Sequence, residues 1–136
     1  MHELFEHTAD LGLRATAPDL GALFAEMATC LVAAMVEDPA GVQPLEEVRI
    51  ELAGTDREFL LFDWLNELLQ RFEADRMLFA SFEVRVTDSG LTATVRGEPF
   101  DPARHVLAHE VKAITYHGLK VERTGDVWLA EVIVDI

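Results

Sequence analysis

Residues 82–95, FEVRVTDSGLTATV, decide the fold. Phe82, Val84 and Val86 alternate with Glu83, Arg85 and Thr87, the two-residue period of a strand with one wet face. Asp88-Ser89-Gly90 supplies a turn, and Leu91, Ala93 and Val95 resume the alternation, so the stretch predicts an antiparallel hairpin. Towards the C-terminus the strand pattern continues. Val111, Ala113 and Thr115 oppose Lys112, Ile114 and Tyr116. Leu119 to Glu122, a turn at Thr124-Gly125-Asp126 and Val127 to Ile136 then read as a closing hairpin.

Towards the N-terminus the period changes. Phe59 to about Phe72 reads as a helix whose main stripe is Leu61, Trp64, Leu65, Leu68, Leu69 and Phe72. Thr55-Asp56-Arg57-Glu58 fits a capping box before it, with Thr55 as the cap. Phe59, Leu60 and Phe62 widen the apolar sector, which predicts burial between two layers or beneath a partner, packing on a sheet being the simpler case. Earlier still, Val48, Ile50 and Leu52 alternate as a strand. Leu20, Leu23, Phe24, Met27, Ala28, Leu31 and Met35 make a first helical stripe, opened by Pro18 and Asp19 and stopped near Glu37-Asp38-Pro39. Leu11 to Thr16 alternates as the first strand. Two helices among strands joined by tight turns define an α+β class, with two helices packed on mostly antiparallel sheet in a single-domain sandwich over residues 1–136.

Composition bounds the function. Half of the 136 residues are hydrophobic and 26% are charged, a globular balance with enough apolar surface for one core. Eleven Lys and Arg against 25 Asp and Glu give a net charge of −14. Nucleic acid and anionic membrane call for basic patches, so neither is expected as a direct partner. Cations, basic surfaces and other proteins remain. No basic residue stands between Arg14 and Arg49, whereas Asp19, Glu26, Glu37, Asp38, Glu46 and Glu47 do, so this acidic stretch is read as a solvated or docking face. The lone Cys30 lies in an apolar run and reads as a small buried hydrophobe rather than a nucleophile. The start of the chain lacks a basic segment and a long apolar segment, and no apolar run approaches 20 residues, so a cytoplasmic location is expected.

Four polar clusters interrupt the regular pattern: His7-Thr8-Ala9-Asp10, Asp63-Trp64-Leu65-Asn66-Glu67, Glu110 to His117, and the terminal Val134-Asp135-Ile136. From the residues alone each has an ordinary reading. His7 and His117 are placed where polar residues end strands. Asp63 and Glu67 share a helix face that solvent explains as well as a site does. Lys112 fits a surface position. The last cluster is sharper, because Asp135 stands beside the α-carboxylate of Ile136. If Asp10 lay alongside, three carboxylates would converge, and an all-oxygen set of this kind suits a hard cation rather than zinc.

The same motifs, Glu6-His7-Thr8-Ala9-Asp10, Asp63 to Leu69, Glu110 to Leu119 and Val134-Asp135-Ile136, closely resemble those of the archease family, in the family's order and across essentially the whole chain. The resemblance implies a non-enzymatic accessory protein of the RtcB-type RNA ligase, which seals tRNA exons and broken RNA ends. It would promote guanylylation of the ligase's active-site histidine and multiple turnover. It further implies a divalent-metal site, calcium in type, at Asp10, Asp135 and Ile136. Lys112, with His7 and His117, is then a contact for the ligase, and RNA is met only through that enzyme. Two other classes stay open. One is a small metal-dependent hydrolase with His7, Asp10, His117 and Asp135 as ligands and Glu110 as base, although H-E-x-x-H, a phosphate loop and a nucleophile elbow are all missing. The other is a chaperone that uses the apolar second helix.

Overall fold

A computed structural model describes residues 1–7 and 10–136, apart from the side chains of Glu6 and His7. In chain order the elements are β1 (His2–His7), β2 (Asp10–Ala17), α1 (Leu20–Met35), a short 3-10 turn (Pro39–Gly41), β3 (Glu46–Ala53), α2 (Arg57–Asp75), β4 (Met77–Thr87), β5 (Gly90–Pro99), β6 (Ala113–Ile114), β7 (Lys120–Thr124) and β8 (Val127–Asp135). One sheet runs β1-β2-β8-β6, with β7 also pairing β8, and a smaller one runs β3-β5-β4. Every described pairing is antiparallel. The α+β sandwich expected from the sequence is therefore the fold.

The hairpin of residues 82–95 forms as read, pairing Phe82 with Val95 and Val86 with Leu91 across the turn. A bulge between Phe79 and Ser81 bends β4 opposite Gly97. A Cβ at Gly97 would lie 1.8 Å from the Leu78 carbonyl oxygen, so only glycine admits this approach. α1 packs against β2 of the large sheet and β4 of the small one, and α2 against β6, β7 and all three strands of the small sheet. Leu13, Leu23, Phe24, Leu61, Trp64, Leu65, Val95 and Val132 meet in one continuous core. Trp64 closes it, its indole N–H donating to the Phe24 carbonyl at 2.9 Å and thereby joining the helices. Cys30 is buried as expected, and burial pushes its thiol up to about 11.

Three local expectations change. The strand β1 has no counterpart in the sequence reading, because His2, Glu3 and Glu6 interrupt its apolar positions. α2 is capped by Asp56 and not by Thr55: the Asp56 carboxylate accepts from Glu58 N–H at 2.9 Å and Phe59 N–H at 3.0 Å, which starts the helix at Arg57. The alternation from Val111 to Tyr116 yields only two paired residues. The acidic stretch is not one face either. Asp19 caps α1, Glu26 pairs with His2 of β1, and Glu47 pairs with Arg96 on the neighbouring strand of the small sheet.

Candidate functional site

β2 and β8 run antiparallel with Asp10 directly opposite Asp135, and on the other side of β8 Asp135 registers with Ala113. The Lys112 amide donates to the Asp135 carbonyl at 2.8 Å and so extends this pairing by one residue. The start of β2 and the end of β8, far apart in the chain, thus meet at one end of the strand ladder of the large sheet. Leu11, Leu13, Ala130, Val132 and Val134 are buried in the core. Alternation therefore sends the Asp10 and Asp135 side chains out of the opposite, outer face, with Cβ atoms ~4.5–5.5 Å apart as in any directly opposed pair. Like charges at that spacing repel unless a cation or water compensates. Ile136 alternates the other way and packs against the core, leaving its main-chain oxygens at the edge.

The donors are all oxygens: two carboxylates and the main chain of Ile136. Such a set fits a hard divalent ion. Among the described residues no group of three His, Cys, Asp or Glu side chains converges to hold a metal. A cation held between the two aspartates would need main-chain oxygens beside them. His117 does not join Asp10 and Asp135 as a third ligand, which removes the described part of the hydrolase constellation. His7 registers with Asp10 through the backbone, but its side chain, like Thr8 and Ala9 of the same motif, lies outside the described residues.

Lys112 is placed by the same alternation on the helix side of the sheet edge, away from the two carboxylates. There it lines a cleft of about 640 Å³ together with Met35, Phe72, Glu73, Arg76 and His109. Arg76 ends α2 in the left-handed region at φ 56°, with its guanidinium 5.2 Å from the centre of the Phe72 ring. His117 is exposed and its amide donates to the Thr115 hydroxyl at 3.2 Å. Asp63 and Glu67 divide: Glu67 pairs with Arg71 at 3.0 Å, while Asp63 is exposed.

One polar cluster escaped the sequence reading. Glu98 and His105 are buried, at 4% and 5% exposure. His105 Nδ1 accepts from the Asp101 amide at 2.9 Å, which fixes the ring proton on Nε2, 3.1 Å from the Glu98 carboxylate. Glu98 also accepts from the Gln43 amide at 2.7 Å and from Arg104. The Gln43 amide, with His105 and Arg104 behind it, holds this carboxyl below the usual range. The lock fastens the loop that leads to Lys112. Its residues are scattered over 43–105 without a spacing signal, so only the fold assembles them.

The arrangement defines a class: a small α+β sandwich that presents paired carboxylates at a strand end. The model of the archease protein family matches residues 2–136, and the chain belongs to that family. The archease of Methanopyrus kandleri is 45% identical over 98% of both chains, and that of Sulfurisphaera tokodaii 38% identical over 98% of this chain and 97% of its own. A solution structure from Methanobacterium thermoautotrophicum superposes with a TM-score of 0.82 at 34% identity, covering 99% of this chain and 98% of that one. The Thermotoga maritima crystal structure, described as an archease and possible chaperone, gives 0.64 at 26% identity over 100% and 98%. These relatives are named as archeases or a possible chaperone, not as enzymes. No described helix is long and apolar enough to cross a membrane.

Proposed function

We propose that this protein is a cytoplasmic accessory factor of an RtcB-type RNA ligase, promoting guanylylation of the ligase's active-site histidine and its repeated turnover in tRNA splicing and RNA repair. In this reading Asp10, Asp135 and the main-chain oxygens of Ile136 hold a divalent cation of the calcium type. The observation that supports it most is the cross-strand opposition of Asp10 and Asp135 in a chain of the archease family. The bound cation would supply positive charge at the sheet edge to offset phosphate charge during guanylyl transfer. The chain itself positions the two carboxylates across the β2–β8 ladder, and in this reading Lys112, on the helix side of the sheet, serves with His7 and His117 as a contact for ligase or phosphate. A protein partner also accords with the description of the T. maritima relative as a possible chaperone.

Net charge favours the same division of labour. A protein at −14 repels RNA but is steered towards a basic RNA-binding enzyme. The test is ligase guanylylation and multiple-turnover ligation with the wild-type protein and with Asp10→Ala, Asp135→Ala and Lys112→Ala. Loss of most of the stimulation is expected for each, and full stimulation by all three overturns the site. Calorimetric titration with Ca²⁺ should show binding that Asp135→Ala abolishes. RNA hydrolysis by the isolated protein would instead favour the hydrolase reading.

A further inference from the structure

Two of the polar motifs, Asp63 to Glu67 and Glu110 to His117, are not used up by the carboxylate edge, and the fold brings them together. Residues 115–119 leave β8 between β6 and β7. Thr115 anchors the departure, its amide and hydroxyl both donating to the Ile133 carbonyl at 3.1 and 2.8 Å. The Leu119 amide then closes a turn onto the Tyr116 carbonyl at 3.3 Å, with Gly118 at φ 66° in the third position, where only a positive φ serves. This turn throws Tyr116 out over α2. Its ring stacks on Phe62 at 4.0 Å and 13° and meets Phe59 edge-on at 5.6 Å and 83°.

The platform is open. Tyr116 is 58% and Phe59 56% exposed, although both are large aromatic side chains that folding ordinarily hides. Asp63 lies one helical turn beyond Phe59 on the same face and is exposed. Among the described residues neither Asp63 nor the neighbouring Glu58 side chain has an ion pair or hydrogen bond, whereas Glu26, Glu47, Glu67 and Glu131 are all paired. Aromatic faces beside free carboxylates, on a chain of net charge −14, match one chemistry: a cationic side chain that lies over a ring and reaches a carboxylate. Tyrosine in such a setting is also a residue type that dominates binding energy at protein interfaces.

We infer that the Phe59–Phe62–Tyr116 platform with Asp63 is a docking spot for an arginine-bearing segment of a protein partner. Tyr116 lies two residues beyond the end of β6, whose Ala113 registers with Asp135, and the platform sits on the helix side of the sheet, the face opposite the two carboxylates. Assigning the segment to the ligase rests on the function proposed above; the chemistry of the platform does not.

Tyr116 is the only tyrosine in the chain, so nitration reports on it alone. In the free protein it should nitrate readily, and in the complex with the cognate ligase it should be protected. Tyr116→Ala and Phe59→Ala should each weaken ligase binding about tenfold or more, and Asp63→Asn about threefold to tenfold with a loss of salt dependence. Gln70→Ala, on the exposed remainder of α2, should bind as wild type, and thermal melts confirm that each variant is folded. Unchanged affinity together with an open Tyr116 in a complex that forms at full strength overturns the platform and leaves the ligase reading intact. Failure of the ligase to bind overturns the ligase reading, and the platform is then judged with a peptide of alternating arginine and glycine. That peptide should shift the Tyr116 ring resonances, several-fold less in Asp63→Asn, whereas a glutamate–glycine peptide should not. No shift overturns the inference, as does protection of Tyr116 that grows with protein concentration, which would make a second copy the occupant.

Discussion

The two helices solve the same problem in opposite ways. α1 buries nine of its sixteen residues and sits between β2 and β4, and its polar groups are turned inward on the molecule itself: Thr29 donates to the Ala25 carbonyl and Glu26 pairs with His2. α2 buries six of nineteen and leaves Phe59 and Asp63 in solvent. From sequence α2 looked the more enclosed of the two, because Phe59, Leu60 and Phe62 widen its apolar sector. Only Leu60 enters the core; Phe62 is covered by Tyr116, and Phe59 meets only the edge of that ring and stays 56% exposed. The apolar sector of α2 is thus wider than the surface that α1 and the strands of both sheets cover, and the surplus at Phe59 is left in solvent. The lesson is that apolar breadth reports the total to be covered, while the fold decides what covers it.

The comparison can be broken most sharply at Trp64, where α2 holds α1. Trp64→Ala removes the largest fully buried side chain and its indole hydrogen bond to the Phe24 carbonyl, and should cost about 3–5 kcal/mol, read as a fall in Tm of at least ~10 °C. Next comes the lock behind the C-terminal end of α1, where Ala108 and His109 amides bond Met35 and Ala34 carbonyls. Because the folded pKa of Glu98 is lowered, its contribution is present above the ordinary carboxylate range and is lost as pH falls through it. Wild type should therefore lose more melting temperature than Glu98→Gln between pH 7 and pH 3.5. Gly118→Ala strains the turn that presents Tyr116 and should cost ~1–2 kcal/mol. Asp56→Ala should cost ~1 kcal/mol and Thr55→Ala almost nothing, which separates the true cap of α2 from its neighbour. Smallest of all, Phe59→Ala should leave stability within ~0.5 kcal/mol, showing that this aromatic does no work for the core.

Elements with local signals were legible in the sequence. The 82–95 hairpin, both helices and the closing hairpin follow from periodicity and turn residues. β1 was not, because a strand broken by His2, Glu3 and Glu6 carries no clean alternation. The cap of α2 was misread by one residue, since Thr55 and Asp56 are both competent and only backbone geometry chooses between them. At the site, the residue types were visible but their meeting was not: the opposition of Asp10 and Asp135 depends on a register between strands at opposite ends of the chain, which no local pattern encodes. The same limit separated Lys112 from the carboxylates, because alternation places it correctly only once β6 is known to pair with β8.

That long register also orders events in time. β4 and β5 are joined by a tight turn and can zip up as soon as they exist, but β8 must find β2 across more than a hundred intervening residues. Closing so long a loop is entropically costly and slow. The carboxylate pair therefore carries a larger loop-closure cost than the 82–95 hairpin, and it exists only where the two distant ends of the sequence have been brought into register.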